Sequence, residues 1–122
     1  MNIIYRLVVW LVVTAVILPG VAWSAGDPTK GKEKYQQLCF ACHGVSGKGD
    51  GPGATHLPVK PRDHTDPEYM GKLTDKQIFD VIKLGGAGVG KSQFMPKWSP
   101  PLTDQQIEDV VAYIRTLSGS KK

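Results

Sequence analysis

Cys39 and Cys42 are the two cysteines of this chain, and His43 directly follows the second, giving C-F-A-C-H at residues 39–43. Three chemistries use a pair of thiols at this spacing. Disulfide formation and thiol exchange use C-x-x-C, but the exchange enzymes place it between a strand and a helix. Structural zinc needs four ligands. Cys39, Cys42 and one of His56 or His64 supply three, and the neighbours Cys42 and His43 are badly placed to share one ion. The third chemistry is covalent haem attachment, whose signature is C-x-x-C-H. On one helical turn the thiols at i and i+3 face the same way, so each can form a thioether with a haem vinyl group. His43, at i+4 from Cys39, then projects toward the iron. The motif predicts one covalently bound haem c, with Cys39 and Cys42 as its anchors and His43 as the proximal iron ligand.

The sixth position on the iron separates electron transfer from ligand chemistry. An open position binds oxygen or peroxide, whereas a closed His/Met site moves electrons at a raised potential. Met95, in Q-F-M-P-K-W, is the predicted distal ligand; Met70 is its rival, with His56 and His64 as outside candidates. A methionine in a small protein usually fills the core. Met95, however, lies in a loop bracketed by Pro96, Pro100 and Pro101, which has no other need of a buried thioether. A soft sulfur suits this iron, and a rigid loop would fix it.

A second motif matches letter for letter and fails on context. Gly85–Ser92, G-G-A-G-V-G-K-S, fits the phosphate-loop pattern, whose mechanics need a strand before it and a helix after it. The preceding residues carry a helical cap instead, and Pro96, Pro100 and Pro101 forbid a long helix after Ser92. No nucleotide is expected; the glycines would let backbone approach a flat surface closely.

The elements that must position these residues read as helices. Asp27-Pro28-Thr29 opens one, in which Gly31, Tyr35 and Leu38 recur at helical spacing up to the cysteine pair. Residues 44–69 are too rich in glycine, proline and aspartate for regular structure and read as a long loop that wraps something. Two further helices start with capping boxes, Thr74 with Gln77 and Thr103 with Gln106. Leu73 and Ile78 can staple the first of these, and Leu102 and Ile107 the second. Gly85 and Gly119 are the predicted stops. In the last helix Ile107, Val110, Val111, Ile114 and Leu117 make one apolar stripe. No alternating strand pattern appears, so the fold class is all-α with long loops.

The 122 residues allow one small domain, whose core would gain from a cofactor that fills it. Residues 1–24 follow the grammar of a secretory signal: Arg6, an apolar run from Leu7 to Leu18, the breakers Pro19 and Gly20, and small Ala22 and Ser24 before the cut. An uncleaved anchor is the competing reading of that segment, since Leu7 to Trp23 carries no charge. Residues 25–122 form the haem domain. The formal charge of +4 is spread over scattered lysines with no dense run, which argues against nucleic-acid binding and leaves room for docking an acidic partner.

From Ala25 to Leu117 the chain resembles the class I c-type cytochromes, the small monohaem electron carriers of bacterial periplasm. The resemblance implies that family's fold, with about three to five short helices and long loops wrapped around the haem. It implies that Gly31 and Tyr35 pack against Tyr113 of the last helix, and F-M-P-K-W resembles the family's distal-methionine loop. It also implies that a carbonyl of the proline-rich loop, that of Pro58 or Pro61, accepts from the proximal histidine, and that Trp98 contacts a haem propionate. The implied function is a periplasmic one-electron carrier, not an enzyme, with transient redox partners steered by lysines such as Lys48, Lys91 and Lys97. Two alternatives stand beside it: a labile sixth ligand that admits oxygen, peroxide or a gas, and an electron-transfer subunit of a larger oxidoreductase. Membrane contact is expected only if the N-terminal segment stays uncleaved.

Overall fold

The structure, a computed structural model, describes residues 25–120, so the leader, the cut after Ser24 and the anchor alternative lie outside the described residues. Five α-helices and one 3₁₀ turn follow in order: α1 Pro28–Leu38, α2 Phe40–His43, the 3₁₀ turn Ala54–His56, α3 Pro67–Lys72, α4 Asp75–Gly88 and α5 Asp104–Ser118. No strand occurs among the described residues, as the all-α reading expected. None of these helices is long and apolar enough to cross a membrane.

Each start is set by local chemistry. Asp27 accepts from the N–H groups of Thr29 and Lys30, with Pro28 at the first helical position. Thr74 with Gln77 and Thr103 with Gln106 both close as full capping boxes. Gly119 ends α5 in the left-handed conformation. Gly85 breaks α4 as expected, at φ 76°, but helical bonding resumes for one more turn to Gly88.

One helix was not expected. Asp66 caps α3 by accepting from Glu68 and Tyr69 N–H groups, and Pro67 takes the first position. The signal, Asp-Pro followed by a polar residue, is the same as at Asp27-Pro28; a loop-rich context hides it.

The architecture rests on the crossing of α1 and α5. Gly31 faces the backbone carbonyl of Asp109 so closely that a Cβ there would overlap it. Gly26 abuts the Glu108 carbonyl in the same way. Asp109 is itself buried, and its carboxylate accepts from the Asp27 N–H at 2.8 Å and from Gln105 Nε2 at 3.0 Å. Below this contact Tyr35, fully buried, meets the Tyr113 ring edge-to-face at 5.1 Å, as the family resemblance implied. The stripe Ile107, Val110, Val111 and Ile114 is buried against them, with Leu117 partly buried at its end.

Arg115 ties α3 and α4 to α5. Its guanidinium donates to the carbonyls of Met70 at 2.7 Å and Leu73 at 2.6 Å, satisfying the end of α3. It also donates to the Asp75 carboxylate at 2.7 Å, at the first turn of α4.

Gly31→Ala should therefore force α1 and α5 apart. A loss of at least the roughly 1–3 kcal/mol typical of an overpacked core is expected, measured by denaturant unfolding of the holoprotein. An unchanged midpoint would mean that the crossing relaxes without cost.

Candidate haem-binding site

Cys39 ends α1 and begins α2, its N–H bonded to the Tyr35 carbonyl at 2.9 Å. The His43 N–H bonds to the Cys39 carbonyl at 2.9 Å, so the motif occupies one helical turn, as its spacing requires. The glycine-rich segment after it is ordered by that turn. The N–H groups of Gly53, Gly51 and Gly49 donate to the carbonyls of Ala41, Cys42 and His43, so the loop runs back along the open end of α2. Gly44, Gly47 and Gly49 all have positive φ, which only glycine adopts without strain.

Both cysteines are free thiols on the border of a cleft of about 440 Å³. His43, Met70, Met95 and Trp98 also line it, with Ile78, Ile82, Val110 and Ile114 among its apolar walls. Both cysteines, His43, His64 and the two rival methionines are thus brought to one cleft, whereas His56 sits exposed in the 3₁₀ turn. Met70 is 2 % exposed and belongs to the core; Met95 is half-buried. The backbone of the Met95 loop is pinned to α4: Gly86 N–H donates to the Met95 carbonyl at 2.9 Å and Trp98 N–H to the Ile82 carbonyl at 2.9 Å.

Gly85 and Gly86 explain the phosphate-loop look-alike. A side chain at Gly85 would press on Lys97 N and the Met95 carbonyl, and one at Gly86 would overlap the Ser92 carbonyl. The close approach these glycines permit is to the chain's own Met95 loop, although Gly86 also lines the cleft. The motif sits on the end of a helix, and no helix follows before Asp104.

His43 Nδ1 lies 3.0 Å from the carbonyl of Arg62, to which it donates, leaving Nε2 as its free nitrogen. The acceptor expected here was the carbonyl of Pro58 or Pro61. It is Arg62 because Pro61 has turned its own carbonyl toward Gly49, where a Cβ would strike it. Arg62's guanidinium lies over the Tyr69 ring, 3.6 Å from its centroid, on the same border of the cleft.

A residue weighed only as an outside ligand is held against the site. The His64 ring stacks on the His43 ring with centroids 4.2 Å apart and 16° between planes. Its Nδ1 is 2.9 Å from the Tyr35 hydroxyl.

Burial sets the charge states. It lowers the His43 pKa, opposed by the Arg62 bond, so the imidazole is neutral and able to bind a metal. His64 is lowered further, to about 3, first by burial and then by the facing His43. The Cys39 thiol is pushed up to about 12 by burial and by Cys42. Exchange enzymes and zinc sites need the opposite, a thiol that ionises easily. Among the described residues no group of three or more His, Cys, Asp or Glu could hold a metal ion together. Two thiols three residues apart, one neutral imidazole and a thioether around an apolar cleft are instead the donor set that fits a c-type haem.

The family model for cytochrome c matches residues 28–118. The Cbb3-type cytochrome c oxidase subunit CcoP of Azospirillum sp. (strain B510) is 36 % identical over 110 residues, 85 % of this chain and 33 % of that protein. Cytochrome c4 of Stutzerimonas stutzeri is 33 % identical over 109 residues, 84 % of this chain and 47 % of its own length. The chain thus spans less than half the length of these curated relatives. Among solved structures, a chain of the Kuenenia stuttgartiensis reducing HAO-like protein complex superposes with a TM-score of 0.62 at 27 % identity, over 77 % of this chain and 44 % of that one. The KustC0563 c-type cytochrome gives 0.52 at 30 % identity, over 75 % of this chain and 98 % of its own.

The state of His64 makes stability depend on pH. Folding keeps the ring neutral, whereas the unfolded chain takes up a proton near the ordinary value of about 6.5. Stability is therefore full above about pH 6.5 and is lost as pH falls from there toward 3. His64→Phe removes that contribution. The difference in denaturation midpoint between parent and variant holoprotein should narrow between about pH 7 and pH 4.5. A difference that does not move with pH would contradict a buried neutral His64.

Proposed function

The chain belongs to the cytochrome c family, whose model covers nearly all of its described residues, and from that premise we propose that it is an exported one-electron carrier holding a single haem. Membership itself carries a c-type haem and haem-based electron transfer. In the proposal residues 1–24 are a cleaved leader, Cys39 and Cys42 hold the haem by thioethers, His43 is the proximal ligand and Met95 the distal one. The observation that carries it is the convergence of both thiols, His43 and Met95 on one apolar cleft. When bound, the haem supplies an iron that cycles between Fe(III) and Fe(II), so one electron enters and one leaves with no substrate bond made or broken.

The chain's own residues set the conditions for that exchange. Two anchors on one turn would prevent loss of the cofactor to the surrounding fluid. The Arg62 carbonyl fixes the tautomer and direction of His43, so Nε2 is the nitrogen presented to iron. The apolar walls exclude water and the thioether favours the reduced metal, both of which raise the potential. Support for Met95 over Met70 lies in their surroundings. Met70 is packed on a helix in the core, with its carbonyl held by Arg115. Met95 is carried on a loop whose backbone is fixed to α4 while its side chain borders the cleft.

The curated relatives include an oxidase subunit and a cytochrome of about twice this length. For this chain the proposal is a transient redox protein partner with an acidic face. Lys48, Lys91 and Lys97 are exposed, and Lys91 stands at the rim of the cleft.

Covalent attachment is tested by denaturing the purified protein, removing loosely held haem, and reading mass and visible spectrum together. One haem per chain is expected, and a colourless chain from a host competent in haem attachment would overturn the proposal. Met95→Ala should lower the midpoint potential, abolish the weak far-red sulfur-to-iron band and admit added imidazole. Met70→Ala should leave all three unchanged while costing about 2–5 kcal/mol of stability. The reverse pattern would assign the ligand to Met70. Electron-transfer rates with an acidic redox partner should fall as ionic strength rises; a flat response removes the role of the lysines.

A further inference from the structure

Resting on the assignment of His43 to the iron, we propose that His64 is a positioning residue that fixes the plane of the proximal imidazole. Two contacts on the His43 ring come from one short stretch of chain. The Arg62 carbonyl takes its Nδ1 edge, and the His64 ring covers its face. A single hydrogen bond fixes a direction but lets the ring rock about that axis. A flat ring in parallel contact removes the rocking.

His64 can act in this way because it is held at three points. Its backbone N–H donates to the Gly47 carbonyl at 2.7 Å. Its Nδ1 pairs with the hydroxyl of Tyr35, itself fully buried and packed edge-to-face on Tyr113. Gly47 closes the third side: a side chain there would press on Leu117, on the Tyr35 hydroxyl and on the His64 Cβ. The orientation of the His43 ring is thus linked to α5, through Tyr113, Tyr35 and His64 in turn. The Tyr35 bond distinguishes this arrangement from simple filling, because a hydrocarbon at position 64 would pack without being aimed.

The test uses the ferric holoprotein and the pattern of its four paramagnetically shifted haem-methyl resonances, which reports the plane of the axial imidazole. His64→Leu fills the space without a flat ring, and should reorder or compress that pattern. His64→Phe keeps a flat ring and should restore most of it. Tyr35→Phe releases the ring of His64 and should shift the pattern in the same sense as Leu, but less. If the pattern is the same in all three variants, His64 is only packing and the proposal fails, even where melting temperature falls. Should His64→Leu not take up haem, Tyr35→Phe decides alone, and an unchanged pattern overturns the proposal. The premise is read separately on the parent, whose strongly shifted imidazole protons should vanish in His43→Gly with added imidazole absent. If they persist there, His43 is not the ligand, and that failure is distinct from a failure of His64.

Discussion

The contact of α1 with α5 governs the rest of the molecule. With Gly31 seated on the Asp109 carbonyl, the two backbones lie closer than any side chain at that position would allow. That approach puts Tyr35 against Tyr113 and delivers Cys39, four residues on, to the edge of the cleft. The buried Asp109 carboxylate locks the same crossing from the other side by holding the Asp27 N–H. A small domain has little apolar surface to spare, so one well-made helix crossing and a cofactor that completes the core are the economical route to a stable fold.

The long loop after the haem motif is a second framework, built from backbone rather than side chains. Its glycine N–H groups satisfy the carbonyls that α2 leaves open, and the positive φ angles at Gly44, Gly47 and Gly49 let it reverse tightly enough to do so. The result is that residues 62–64, far along the chain from His43, are returned to its ring. The loop is irregular in pattern and yet specifically bonded, which is how an element without periodicity can still place an atom such as the Arg62 carbonyl.

Helix α4 plays the corresponding part for the Met95 loop. The kink at Gly85 and the bare surface of Gly86 receive residues 92–97, and the backbone bonds at Met95 and Trp98 hold the loop there. A glycine-rich string that matches a nucleotide motif is here the socket for the Met95 loop. The same residues satisfy two patterns, and only the flanking helix says which mechanics apply.

Much of this was legible in the sequence because much of it is local. The spacing of Cys39, Cys42 and His43 within one turn, the two capping boxes, and the apolar stripe of α5 each depend on residues three or four apart, whose geometry a helix fixes in advance. Helix α3 obeyed the same rule and was hidden only by its surroundings. What tertiary structure alone decided lies across long separations: the choice of Arg62 over Pro58 or Pro61 as acceptor, the stacking of His64 on His43, and the docking of the Met95 loop on Gly85 and Gly86. Those contacts depend on the path of a loop that no period describes, and a shift of one residue in that path changes which carbonyl or ring arrives. The sequence by itself therefore determined which groups could hold a haem, while the folded chain decided what holds those groups, because spacing within a turn is fixed by the backbone and spacing between turns only by packing.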